Sequence, residues 1–166
     1  MRFDAAKRIL DRAIAEGDLP GACLEVGNRE GGVWRYVAGS RSLVPEKTPL
    51  TEHTRFDMAS CTKLMATAMA AFHLIEQGEI CLSDPMSRFY DGLGREAGRI
   101  TVFHLLTHTS GIAPLTSCVG TPRERAAEEI LSRPLAYETG TCVGYACLGY
   151  IVLGRLLEKV AGKRLD

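Results

Sequence analysis

From Ser60 to Gln77 the chain reads SCTKLMATAMAAFHLIEQ, with neither glycine nor proline, in a sequence that holds 17 of the first and 7 of the second. Ala, Met and Leu are strong helix formers and Gly78 supplies a stop, so the stretch predicts one helix over 60–77, apolar enough to be buried. The remaining segments have to pack around it. Phe3, Ala6, Ile9, Leu10, Ala13 and Ile14 recur at three- and four-residue spacing, which predicts an amphipathic helix over 3–15, stopped by Gly17 and Pro20. GACLEVG and VWRYVAG flank the turn-rich NREGG and predict a hairpin over 21–39. Residues 40–54 carry prolines and charges and read as loop. Further helices are expected at Thr101–Thr107, Pro122–Leu131 and Cys147–Val160, within a helical region over 78–166. The order helix, hairpin, helices predicts an α+β fold whose antiparallel sheet is incomplete.

Charge narrows the partners. Twenty Lys plus Arg balance twenty Asp plus Glu, so no net field holds a polyanion, and nucleic acid is not an expected partner. A small neutral or weakly anionic molecule is. No apolar run approaches the ~20 residues that span a bilayer, and MRFDAAKRILDRAIAEGD mixes charge where a signal peptide needs an apolar core. The expectation is no membrane association and a cytoplasmic protein, or a periplasmic or secreted one if a leader was removed. Six cysteines, Cys23, Cys61, Cys81, Cys118, Cys142 and Cys147, show no CxxC spacing and are read as reduced thiols.

The chemistry concentrates in FDMASCTK, where Ser60 stands three residues before Lys63. One helical turn returns both to the same face. A serine hydroxyl is a weak nucleophile until a neighbouring base takes its proton, and a lysine that titrates near ~10.4 is no base at neutral pH. Burial and the positive end of the helix dipole are expected to push Lys63 down, and the Ser60 N–H is offered to a developing oxyanion. A lone S-x-x-K match is common, but three further stretches follow in order: HLIEQGEICLSDPMSRFY, ITVFHLLTHTSGI and YETGTCVGYACLGYIVLGRLLEKVAG.

Together these four blocks resemble the penicillin-recognising serine hydrolases, the serine β-lactamase and penicillin-binding protein superfamily, in its class C β-lactamase and esterase branch. The resemblance runs from Gly21 onward and matches the N-terminal portion of that family. It implies a β-lactamase/transpeptidase-like fold, with an antiparallel sheet flanked by helices plus an all-helical region, 1–166 forming the N-terminal part of a single domain. It also implies a serine hydrolase that forms an acyl-enzyme on a β-lactam, a D-amino acid peptide or a small ester, without a cofactor. Ser60 is the implied nucleophile and Lys63 its proton partner. Tyr145, at the tyrosine of the family's Tyr-x-Asn motif, is the implied shuttle, and serves as a base only if a cation such as Lys63 favours its phenolate.

Two departures limit the resemblance. Cys147 replaces the Asn that helps hold the substrate amide, and a thiol is a poor hydrogen-bonding group. The family's Lys/His-Thr/Ser-Gly strand, which supplies the second oxyanion donor, is absent from the sequence. A short sheet has bare edges, so a second chain, another copy in a homo-oligomer, or a continuation of the polypeptide is expected to complete it. The competing readings are a catalytically impaired assembly module and a metal- or thiol-dependent protein. His104 and His108, four apart on a predicted helix, have zinc spacing but no Glu after the first and no third ligand, so packing and capping roles are expected. GLGREAG is read as a turn, Cys61 as a core thiol pointing away from Lys63, and no G-x-S-x-G elbow supports a Ser-His-Asp triad.

Overall fold

The structure is a computed structural model that describes residues 3–113 and 118–165. Residues 114–117, inside the expected helical region, lie outside the described residues. The chain divides into two compact units, Met1–Asp57 and Met58–Asp166.

The first unit is a helix and a small sheet. Helix α1 (Asp4–Glu16) ends where Gly17 turns left-handed at φ 83° and its N–H returns to Ala13 and Ile14. Strands β1 (Gly21–Gly27) and β2 (Val33–Ser42) pair antiparallel from Gly21 opposite Gly39 to Gly27 opposite Val33. Asn28 Oδ1 accepts from the N–H groups of Glu30 and Gly32, which closes the turn. Phe3 stacks on Trp34 at 5.2 Å and Tyr36 bonds Asp11, so α1 lies on the hairpin.

The hairpin expected over 21–39 is longer, and the loop expected over 40–54 is not all loop. Strand β3 (Thr48–Pro49) pairs with the end of β2 to give a three-stranded sheet in the order β1-β2-β3. Proline is tolerated on such an edge, where its missing N–H faces away from the partner strand. Pairing of this kind is non-local, and a proline-rich stretch read alone carries no sign of it.

The second unit holds the core. Its centre is the helix α6 (Cys147–Ala161), whose Val152, Leu153 and Leu156 are fully buried. Around it pack α2 (Met69–Glu76), α4 (Val102–Leu106) and α5 (Ala126–Leu131). A short α3 (Arg95–Gly98) forms where GLGREAG was read as a turn. Glu158 accepts from Arg155 on its own helix and from Arg123 before α5, which ties the two segments.

The helix expected over 60–77 forms in three geometries rather than one. Residues 61–63 close i to i+3 turns from Met58, Ala59 and Ser60. Lys63–Ala68 is π-helical, and only Met69–Glu76 is regular α-helix, ended by Gly78. A π-bulge of this kind is frequent at functional sites. Nor is the helix buried on all sides. Thr67, Ala68, Ala71 and Leu74 face the core, whereas Leu64, Met65, Met69 and Phe72 are each more than half exposed. Among the described residues no helix is long and apolar enough to cross a membrane.

Candidate active site

Ser60 stands at the mouth of the π-helical turn, directly after Ala59, whose φ of 42° is left-handed. Such a conformation in a residue with a Cβ costs about 1–3 kcal/mol, and it turns the chain sharply just before the hydroxyl. Lys63, three residues on, donates from Nζ to Ser60 Oγ at 3.2 Å. Tyr145, eighty-five residues away in sequence, donates from Oη to the same Ser60 Oγ at 2.7 Å. The three side chains singled out in the sequence therefore meet at one oxygen. Cys147 is the first residue of α6, two positions past Tyr145, and its thiol is among the groups that favour the charged form of Lys63. Ser60, Tyr145 and Cys147 are exposed and Lys63 is half-buried, so solutes reach the hydroxyl.

Tyr145 is held by a clamp in which the segment His108–Gly111 is laced to the segment 136–146. Gly111 O accepts from the Ala136 N–H, Ser110 O from Thr139 Oγ1, Thr109 O from the Gly140 N–H and His108 O from the Gly144 N–H, each at 2.8–2.9 Å. His108 Nδ1 accepts from the Ala146 N–H at 3.3 Å, so the peptide after Tyr145 and the peptide before Gly144 are both fixed. Only glycine fits at 144, because a Cβ there would come within 2.4 Å of Tyr137 Oη, itself donating to His108 O. The HTSG block acquires its physical meaning in this way: its backbone carbonyls are the docking rail of the tyrosine loop.

Electrostatics corrects one expectation. Lys63 is raised above the ordinary lysine value, first by its hydrogen bond to Tyr145 and further by Cys147, while desolvation acts the other way and loses. The cation also lies 5.1 Å from the Tyr145 ring and 6.0 Å from the Tyr150 ring. Half-exposed and surrounded by acceptors and aromatic faces, the amine keeps its proton; the depression argued from burial does not occur because the burial is partial. Lys63 is an ammonium at neutral pH. It is a charge donor to Ser60 Oγ, not a free base.

The histidines separate. His104 caps α4 through a reciprocal box with Thr101, in line with the capping role expected. His108 is not on that helix; it follows it at φ 58°, beside the rings of Tyr145 at 4.6 Å and Tyr150 at 5.0 Å. Burial, then the charge on Lys63, hold His108 below the ordinary imidazole value. Cys61, read as a core thiol, is exposed. Among the described residues no three His, Cys, Asp or Glu side chains converge as a metal site. Sequence reasoning missed Tyr150 and Tyr137: Tyr150 Oη donates to Leu106 O and its ring backs Lys63, and the one available signal was Gly144 beside an aromatic-rich block.

Comparison with known proteins bears on the family and the fold. The Beta-lactamase family model matches residues 6–166. An N-acetylmuramyl-L-alanine amidase of Bacillus subtilis is 31% identical over 96% of this chain and 41% of its own length. Esterase EstB of Burkholderia gladioli is 29% identical over 99% of this chain and 46% of its own. The solved structure of an octameric penicillin-binding protein homologue from Pyrococcus abyssi superposes with a TM-score of 0.81 at 26% identity, over 100% of this chain and 41% of that one. The chain thus spans less than half the length of these relatives, and the β-lactamase/transpeptidase-like fold expected for it is the fold it has.

Proposed function

The chain belongs to the Beta-lactamase family, and on that footing we propose that it is a serine hydrolase acting through a covalent acyl-serine ester, with Ser60 as nucleophile. Supporting this reading above all is the convergence of Tyr145 Oη at 2.7 Å and Lys63 Nζ at 3.2 Å on Ser60 Oγ. Two donors aimed at one oxygen stabilise negative charge on it, and a hydroxyl so placed loses its proton most readily when a carbonyl carbon is at hand.

Ser60 Oγ bonds the acyl carbon as the bond to the departing amine or alkoxide breaks; Tyr145 gives its own proton to that leaving group and takes the Ser60 proton in its place. The Lys63 ammonium balances the charge while that proton is in transit. The tetrahedral oxygen takes the Ser60 N–H as one donor. Water then attacks the ester, Tyr145 relays the proton back, and the acid product leaves. Amidase and esterase relatives suit a substrate that is a β-lactam, a D-amino acid peptide or a small ester. Cys147 stands where such a substrate's amide would lie and grips it more weakly than an amide side chain does.

Residues 1–166 then form the N-terminal part of one β-lactamase-like domain, whose sheet is completed by a second chain, another copy or further polypeptide. The octameric relative makes a homo-oligomer the first to test, by light scattering. A fluorescent penicillin or fluorophosphonate tests the chemistry. Covalent label on Ser60, lost in Ser60→Ala, is the expected result. Cys147 in place of an amide side chain favours one second reading, an impaired relative that serves as an assembly module; absence of label together with stable oligomers would select it.

A further inference from the structure

Protonating one half-buried nitrogen would undo the placement of Tyr145, and that nitrogen belongs to His108. The residue lies two positions past α4 in the left-handed region, at φ 58°, so its carbonyl and its ring both turn toward the tyrosine loop. His108 O accepts from the Gly144 N–H at 2.8 Å and His108 Nδ1 accepts from the Ala146 N–H at 3.3 Å. The imidazole also lies between two phenol rings, 4.6 Å from Tyr145 and 5.0 Å from Tyr150. One residue therefore holds the peptide before Gly144, the peptide after Tyr145, and the ring itself.

A peptide N–H is only ever a donor, so the bond to Nδ1 exists only while Nδ1 carries a lone pair. The ring is then the neutral tautomer with its proton on Nε2. We propose that His108 is a positioning residue whose unprotonated ring keeps Tyr145 Oη on Ser60 Oγ, and whose protonation releases Tyr145 and stops acyl transfer at acid pH. The inference rests on the hydrolase reading given above.

The groups that face the ring favour the neutral form. Lys63 approaches from the π-helical turn as a second cation, Tyr145 and Tyr137 come from the loop before α6, and Tyr150 comes from α6; none of these is a carboxylate. Burial and the Lys63 charge lower His108 below the ordinary imidazole value. Neutral His108 therefore persists below about pH 6.5, and the clamp opens only as pH falls through the lowered value.

Two substitutions separate positioning from bulk packing. His108→Asn keeps an acceptor oxygen near the place of Nδ1 and tolerates a left-handed backbone, but it does not titrate. His108→Ala removes acceptor and ring together. Fluorophosphonate acylation of Ser60 is followed from pH 5 to 9 in the purified protein and both variants, with thermal unfolding as the check on folding. The expected result is a loss of about 10–100-fold in the acylation rate constant for His108→Ala, as for a catalytic group displaced by roughly 1 Å. His108→Asn should retain the rate to within about tenfold and lose the acid limb seen in the parent. An unchanged rate in folded His108→Ala, or an unchanged acid limb in His108→Asn, overturns the inference and leaves the hydrolase reading standing. No label on the parent protein overturns both. Imidazole 15N shifts at pH 7 test the tautomer without any activity: a protonated Nδ1 would sink the proposal even if neither variant folds.

Discussion

The sheet unit and the helical unit solve the same problem of stability unequally. Among the described residues of the unit Met1–Asp57 the buried ones are Ser40 and Leu50, and α1 has none. In the helical unit a continuous core runs from Ala71 through Ile80, Met86, Ile100 and Leu105 to Leu157. Full burial of one aliphatic side chain stabilises by about 1.5–3 kcal/mol, so nearly all the apolar stabilisation lies in the unit that carries Ser60, Lys63 and Tyr145. The contrast teaches that the reactive hydroxyl is anchored by helix packing. The sheet holds itself by backbone pairing and by the stacking of Phe3 on Trp34.

Breaking the core should have the largest effect. Leu153, fully buried in α6, leaves a cavity when cut to alanine, and Leu153→Ala is expected to cost about 2–5 kcal/mol in denaturant unfolding. Molecules still folded should label at Ser60 as before. A lesser effect is expected from Gly144→Ala, because the new Cβ would meet Tyr137 Oη at 2.4 Å and the loop must shift. A displacement of about 1 Å in Tyr145 costs up to ~10²-fold in acylation, with little change in unfolding, and kinetics alone that matched the parent would show the clamp to be slack.

The sheet unit supplies the counter-experiment. Gly39 has φ 82°, and a Cβ there would lie 2.5 Å from Pro20 O, so Gly39→Ala should destabilise the hairpin by about 1–3 kcal/mol. Hydrogen exchange should rise across 21–42 while Ser60 acylation stays within about twofold, the outcome for independent sites. A large fall in acylation would dissolve the contrast between the units. The smallest effect is expected from Cys147→Asn, which restores an amide beside Lys63 and should improve kcat/KM for an amide substrate by about three- to tenfold, in keeping with one added hydrogen bond. An unchanged or lower value would mean that Cys147 is not where the substrate amide lies.

Much of the helical unit was legible because local signals add up along one segment. The Gly- and Pro-free run after Ser60 marks an element without help from elsewhere, and the helix expected over Cys147–Val160 is α6 to within one residue. Strand β3 was not legible, since two residues gain a strand only by meeting the edge of β2. The exposure of Leu64, Met65, Met69 and Phe72 was likewise invisible, for an apolar helix reads as buried whichever of its faces is covered. His108 was read by its spacing from His104, whereas its role depends on its own left-handed backbone, two residues past the end of α4.

The sequence by itself determined which residues have reactive chemistry and which share a turn: Ser60 and Lys63 are near one another in any helix, because three residues bring a side chain back to the same face. Only the tertiary structure decided that Tyr145 joins them, and that Lys63 keeps its proton. Both depend on contacts across eighty-five residues, in which carbonyls of His108–Gly111 fix a loop and a phenol supplies the hydrogen bond that outweighs desolvation. Proximity along a chain is a property of the backbone; a charge state is a property of everything that surrounds the group.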